Sequence, residues 1–265
     1  MKFYEFGEKI NPVIFLLPGT SCHWKVNYEK HIPLLKEKFY VVAVSYDGFD
    51  ETEDTIFPDM ITETEKIEAY IKESFQGNIF AAYGCSLGGS FVSLLVSRKN
   101  IHIKHAIIGS SDMDQTGKAV AKLETILVAK LFEPVVMTGK VPNFLQKRIN
   151  KMSPEDKEYM NNILDSFTAN GKGLPFVKKQ SIRNQFYSDL ITPVGEGIDV
   201  EGTTIHVFYA KKMGEKYEKR YYKHFANPDI RVHDYQHEEL FFRYPEKWYQ
   251  EILCVCGLND NNNKN

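Results

Sequence analysis

Cysteine is scarce in this chain, four among 265 residues, and charge of neither sign dominates. Cys22, Cys85, Cys254 and Cys256 have no zinc-ligand spacing, since Cys254-x-Cys256 lacks both the two-residue spacer and a partner pair. Neither a disulfide framework nor a metal site is expected, and the thiols read as free in a reducing cytosol. Lys plus Arg number 33 against 35 Asp plus Glu, a net charge of −2, which leaves no basic stripe for nucleic acid or an anionic membrane. No apolar run approaches the roughly 20 residues of a membrane-spanning helix. The first eight residues carry no apolar segment or small-residue cleavage site of the kind that directs secretion. A cytoplasmic chain is expected, with no nucleic-acid partner and no membrane insertion.

What is present is apolar residue enough for a core, 43 % of the chain, well clear of disorder. At about 150 residues per domain, the length suits one large domain or a core with an insertion. Short β-branched and aromatic runs alternate with helical patterns. Strands are predicted at 13–17, 40–45, 79–83 and 106–108, and helices at 59–75 and 90–97 between them. Both faces of these strands look apolar, as in a mostly parallel sheet flanked by helices. Strand character then stops for about ninety residues. Within 113–202 helical patterns are interrupted by Pro134, Gly139 and Pro142, and Ser153-Pro154-Glu155 has the chemistry of a helix start. Strands resume at 203–209 and 230–235, a helix follows at 245–255, and 259–265 reads as a frayed tail.

The most informative residues are Gly84-Cys85-Ser86-Leu87-Gly88, a G-x-S-x-G sequence between a predicted strand and a predicted helix. A sharp strand-to-helix turn needs small flanking residues, which Gly84 and Gly88 supply. Such a turn lifts the Ser86 hydroxyl above the sheet and sets the Leu87 N–H at a helix N-terminus, where a developing oxyanion is stabilised. Cys85 is not the nucleophile, because moving the frame by one residue puts Tyr83 and Leu87 at the small positions.

With this turn in its context the chain resembles the α/β-hydrolase superfamily, from Pro12 to about Cys256. The fold class implied is α/β, with a mostly parallel central sheet flanked by helices and an inserted helical cap. The core is then 1–112 with 203–258, and the cap 113–202. Leu16-Leu17-Pro18-Gly19-Thr20 is similar to the family's oxyanion loop, with proline in place of the usual histidine, which implies the Thr20 N–H as second oxyanion donor. The resemblance implies His237 as general base, between the last strand and the last helix. Six of the seven other histidines fit worse, lying in strands, helices or a strand entrance. His233-x-x-x-His237 is not read as a metal pair, since that spacing aligns two imidazoles only on a helix. The acid departs from the pattern, because Met213 occupies the usual place. Glu215, two residues later, and Asp112, directly after the fourth predicted strand, are the alternatives.

His23, just beyond the oxyanion loop, and Cys85 are candidate substrate-contacting residues. Phe132, Phe144, Phe167, Phe176, Phe186 and Tyr187 in the insertion could line an apolar pocket or simply bury the cap's own face. Lys172, Lys178, Lys179 and Arg183 read as a solvated cluster, with an anionic carrier such as coenzyme A as the sharper alternative. The expected function is a cofactor-free serine esterase or thioesterase on a small or medium acyl substrate, acting as monomer or homodimer. Acyl transfer or amide cleavage would use the same groups. A non-catalytic binding protein on the same scaffold is the reading from another class.

Overall fold

The computed structural model describes residues 1–113 and 115–259. The expected frayed tail lies, apart from Asn259, outside the described residues. In chain order the elements are β1 (Lys2–Phe6), β2 (Val13–Leu17), α1 (Trp24–Tyr28), α2 (Ile32–Leu35), β3 (Tyr40–Ser45), α3 (Met60–Phe75), β4 (Asn78–Gly84), α4 (Leu87–Arg98) and β5 (His102–Ile108). Four helices intervene, α5 (Lys118–Thr138), α6 (Asn143–Ile149), α7 (Pro154–Thr168) and α8 (Lys179–Ile191). The chain then forms β6 (Thr204–Ala210), α9 (Glu215–His224), β7 (Asp229–His233), α10 (Glu239–Arg243) and α11 (Pro245–Val255).

The sheet has the order β1-β3-β2-β4-β5-β6-β7. Every neighbouring pair is parallel except β1 with β3. β1 is the strand that sequence pattern did not reveal. As a half-exposed edge it carries Lys2 and Glu5 outward and has no apolar run. Along β2 the period of two sends Phe15 and Leu17 to one face and Ile14 and Leu16 to the other. The first pair packs with Ile67 and Ile71 of α3 and Phe91 of α4, and the second with Tyr28, Ile32, Trp248 and Ile252. Helices therefore cover both faces, which is why the inner strands show no polar alternation.

Helix ends follow their local chemistry. Asp59 accepts the Thr62 N–H at 2.9 Å to open α3, and Ser153 accepts the Asp156 N–H at 3.1 Å before Pro154 opens α7. α5 departs from expectation, since it runs through Pro134 and stops at Gly139, whose φ of 70° is left-handed. Proline inside a helix costs about 3 kcal/mol. Here Val135 and Val136 beyond it are buried, Val136 among Leu174, Val177 and Ile182, and this packing holds the last turn in place. Among the described residues no helix is long and apolar enough to cross a membrane.

Candidate active site

β2, β4 and β5 run parallel with Leu17, Gly84 and Ile108 in register, so their carboxyl ends deliver three loops to one edge of the sheet. β4 leads through Cys85 to Ser86, whose φ of 50° and ψ of −115° are strained for a residue with a side chain. A Cβ at Gly84 would overlap the Gly88 backbone, and one at Gly88 would overlap the Leu17 carbonyl. Both glycines are thus required by close approach, and Ser86 is lifted clear at the head of α4.

The loop after β7 brings His237 to this point, with its Nε2 3.0 Å from Ser86 Oγ. A nucleophile and a base at hydrogen-bond distance form the minimum unit for covalent acyl transfer. The inserted helices and the loop of His237 are also joined, since the Tyr159 hydroxyl of α7 donates to the His237 carbonyl at 2.8 Å and Gln236 Nε2 donates to Asp156 at 2.9 Å.

Sequence reasoning missed Glu238. Its carboxylate is buried beneath the elbow, where Oε1 accepts the N–H groups of Ser86 and Ser110, each at 2.7 Å. Oε2 accepts the Tyr83 hydroxyl at 3.2 Å. Burial pushes this carboxyl above the ordinary carboxylate range, while His237 and the two N–H donors pull it back down. Its backbone is left-handed, φ 54°. A lone acid next to a histidine carries no periodicity, so only the turn of the chain shows that it points inward.

In the loop after β2 Gly19 N–H donates to Asn27 Oδ1 at 3.0 Å, and Ser21 N–H donates to Gln185 Oε1 at 2.6 Å. Between them the Thr20 N–H has no acceptor among the described residues, nor has the Leu87 N–H at the head of α4. Thr20, Ser86 and Leu87 share a cavity of about 330 Å³ with Asp112, Glu124, Leu127, Val128, Phe186, Asp189 and Leu190. The cap thus supplies the apolar wall opposite the serine.

The remaining expected residues divide between the cavity and other places. Asp112 lies in the cavity wall, whereas Glu215 is exposed in the first turn of α9, a favourable place for an acid near a helix N-terminus. Neither makes a hydrogen bond with His237, whose ring bonds only to Ser86 among the described residues. His23 is buried against Glu51, Nε2 to Oε2 2.6 Å, and meets Phe176 edge-on. Cys85 is packed in the core, where burial pushes its thiol far up and so disfavours the thiolate. Neither lines the cavity at Ser86. In the basic cluster Lys178 pairs with Asp54 at 2.5 Å and Arg183 with Glu133 at 2.6 Å.

No family model matches the chain, and no curated protein matches it by sequence. Solved structures do match. A protein from Desulfitobacterium hafniense described as of the alpha/beta hydrolase family superposes with a TM-score of 0.75 at 15 % identity, covering 96 % of this chain and 99 % of the other. MenH from S. aureus gives 0.69 at 16 %, covering 97 % of each chain. The enol-lactonase from Burkholderia xenovorans LB400 gives 0.68 at 12 %, covering 97 % and 96 %. At such identities the likeness concerns the path of the backbone, which agrees over nearly the whole length of each. The chain has the α/β-hydrolase fold, with a helical segment, α5 to α8, inserted between β5 and β6.

Proposed function

We propose that this protein is a serine hydrolase that cleaves a small or medium carboxylic ester or thioester through an acyl-Ser86 intermediate. The observation that carries the reading is the 3.0 Å contact between His237 Nε2 and the hydroxyl of a serine held in a strained elbow. Ser86 Oγ attacks the acyl carbon while His237 Nε2 takes its proton. The Thr20 and Leu87 N–H groups receive the oxyanion. As the carbon–oxygen or carbon–sulfur bond breaks, His237 returns the proton to the leaving alcohol or thiol. Water, deprotonated by the same nitrogen, then attacks the acyl-enzyme, and the acid leaves with Ser86 restored. This sequence needs no cofactor.

For the acid, what favours Asp112 over Glu215 is its place in the wall of the Ser86 cavity, while Glu215 faces solvent. For the substrate, Leu127, Val128, Phe186 and Leu190 suit an apolar acyl group. Among the described residues the cavity wall contains three acids and no Lys or Arg, so a neutral ester fits better than an anionic carrier such as coenzyme A. The test is labelling with a fluorophosphonate and peptide mapping. A single adduct on Ser86, lost in His237→Ala, is expected. Folded protein that takes up no label would sink the hydrolase and favour a binding role.

A further inference from the structure

Cap helix α8 is fastened to the core along one face. Ser181 Oγ accepts the Phe57 N–H at 3.2 Å, Gln185 Oε1 the Ser21 N–H at 2.6 Å, and Ser188 Oγ the Met60 N–H at 3.1 Å. The spacing of four and three residues aligns these side chains, and all three residues are buried. The middle contact differs from its neighbours because it ends on the oxyanion loop. There the N–H on either side of Thr20 is held by a side chain, Asn27 from α1 and Gln185 from α8. With both flanking peptides tied, the Thr20 N–H has no acceptor among the described residues and lies in the wall of the cavity it shares with Ser86. Ser21 is left-handed, φ 55°, a conformation that persists only where the surroundings hold it.

We propose that Gln185 is a positioning residue for the reaction, through which cap helix α8 sets the oxyanion loop so that the Thr20 N–H meets the oxygen that turns negative in the transition state. The inference rests on the serine-hydrolase reading above. It makes the cap part of the catalytic machinery as well as a wall for the substrate. The core alone holds Ser86 and His237 but leaves Ser21 N–H without its acceptor and the oxyanion loop unset.

The experiment uses the full chain and a p-nitrophenyl ester. Gln185→Met keeps the length of the side chain and removes the acceptor, and Gln185→Glu restores an acceptor oxygen. Gln185→Ala is the second deletion should the Met variant fail to fold. Ser181→Ala removes a cap-to-core bond of the same kind on the same helix face, away from the loop. Loss of a positioned oxyanion donor lowers kcat by about a hundredfold or more, so a donor merely released from its position is expected to cost roughly ten- to a hundredfold. In the deletions kcat falls by that factor with KM within about twofold, since the contact forms only in the transition state. Affinity for a trifluoromethyl ketone, whose serine adduct carries the oxyanion, falls in step. Glu recovers most of the rate, and Ser181→Ala keeps wild-type kcat. Unchanged kcat in the deletions, a loss confined to KM, or an equal loss in Ser181→Ala overturns the proposal while the hydrolase stands. A wild type that neither turns over esters nor takes up fluorophosphonate overturns the hydrolase reading itself.

Discussion

The Glu238 carboxylate accepts the backbone N–H of Ser86 at 2.7 Å, so the residue next to the candidate base anchors the turn that carries the candidate nucleophile. Ser110 N–H ends on the same oxygen, which ties the exits of β4 and β5 to the loop after β7. A single buried side chain thus joins the turn that carries Ser86 to the loop that carries His237.

Removing that anchor leaves two buried N–H groups unsatisfied, at about 1–3 kcal/mol each. Glu238→Ala is expected to lose roughly 2–5 kcal/mol in urea unfolding, and Glu238→Gln, which keeps an acceptor oxygen, much less. Because the folded-state pKa lies above the unfolded value, the wild type binds its proton more tightly when folded. This contribution is full below pH of about 4.5 and fades as pH rises through the folded pKa. The stability gap between wild type and Glu238→Gln therefore narrows with rising pH, and a gap that widens contradicts the account.

The acid is testable by charge removal. If Asp112 orients His237, Asp112→Asn lowers kcat on a p-nitrophenyl ester by about a hundredfold or more, as loss of a tautomer-fixing acid does elsewhere by up to about 10⁴. Glu215→Gln, on an exposed residue, changes it less than about twofold. The reverse ranking would return the role to Glu215.

His31 sets an acid limit on stability. Burial lowers its pKa to about 3, and its Nε2 meets the Phe241 carbonyl at 3.1 Å while the ring stacks on Phe241 at 3.8 Å. Unfolded histidine titrates near ~6.5, so between these values the unfolded chain binds the extra proton and stability falls as pH drops. By pH 5 the loss is about 2 kcal/mol. His31→Phe keeps the stack and abolishes the titration. It costs about 1 kcal/mol at pH 8 through the lost hydrogen bond, and the difference from wild type shrinks or reverses by pH 5. Parallel urea midpoints at pH 8 and pH 5 for both proteins would refute this.

On the proposed reading the cavity wall limits the length of the acyl chain. Val128→Phe fills space opposite Ser86 and is expected to lower kcat/KM for an eight-carbon p-nitrophenyl ester by about tenfold relative to the acetate, the scale of one to two methylenes in an apolar pocket. An unchanged ratio of the two would place the acyl group elsewhere.

The inner strands, the elbow and the cap of α7 were legible in the chain because each is written in adjacent residues. Apolar runs mark β2 and β3, Gly84 and Gly88 flank Ser86, and Ser153-Pro154 opens α7. Edge strand β1 was not legible, having no apolar run, and α5 passes Pro134 because packing beyond it outweighs one missing bond. The order of the strands, the inward turn of Glu238 and the reach of Gln185 to Ser21 join residues far apart in sequence. Buried side-chain contacts of that kind have no period and no local spacing. By itself, then, the sequence singled out the candidates, Ser86 with its flanking glycines and, through the resemblance, His237. Tertiary structure alone decided which polar groups hold them in place, because a buried N–H takes whatever acceptor the folded chain brings within about 3 Å.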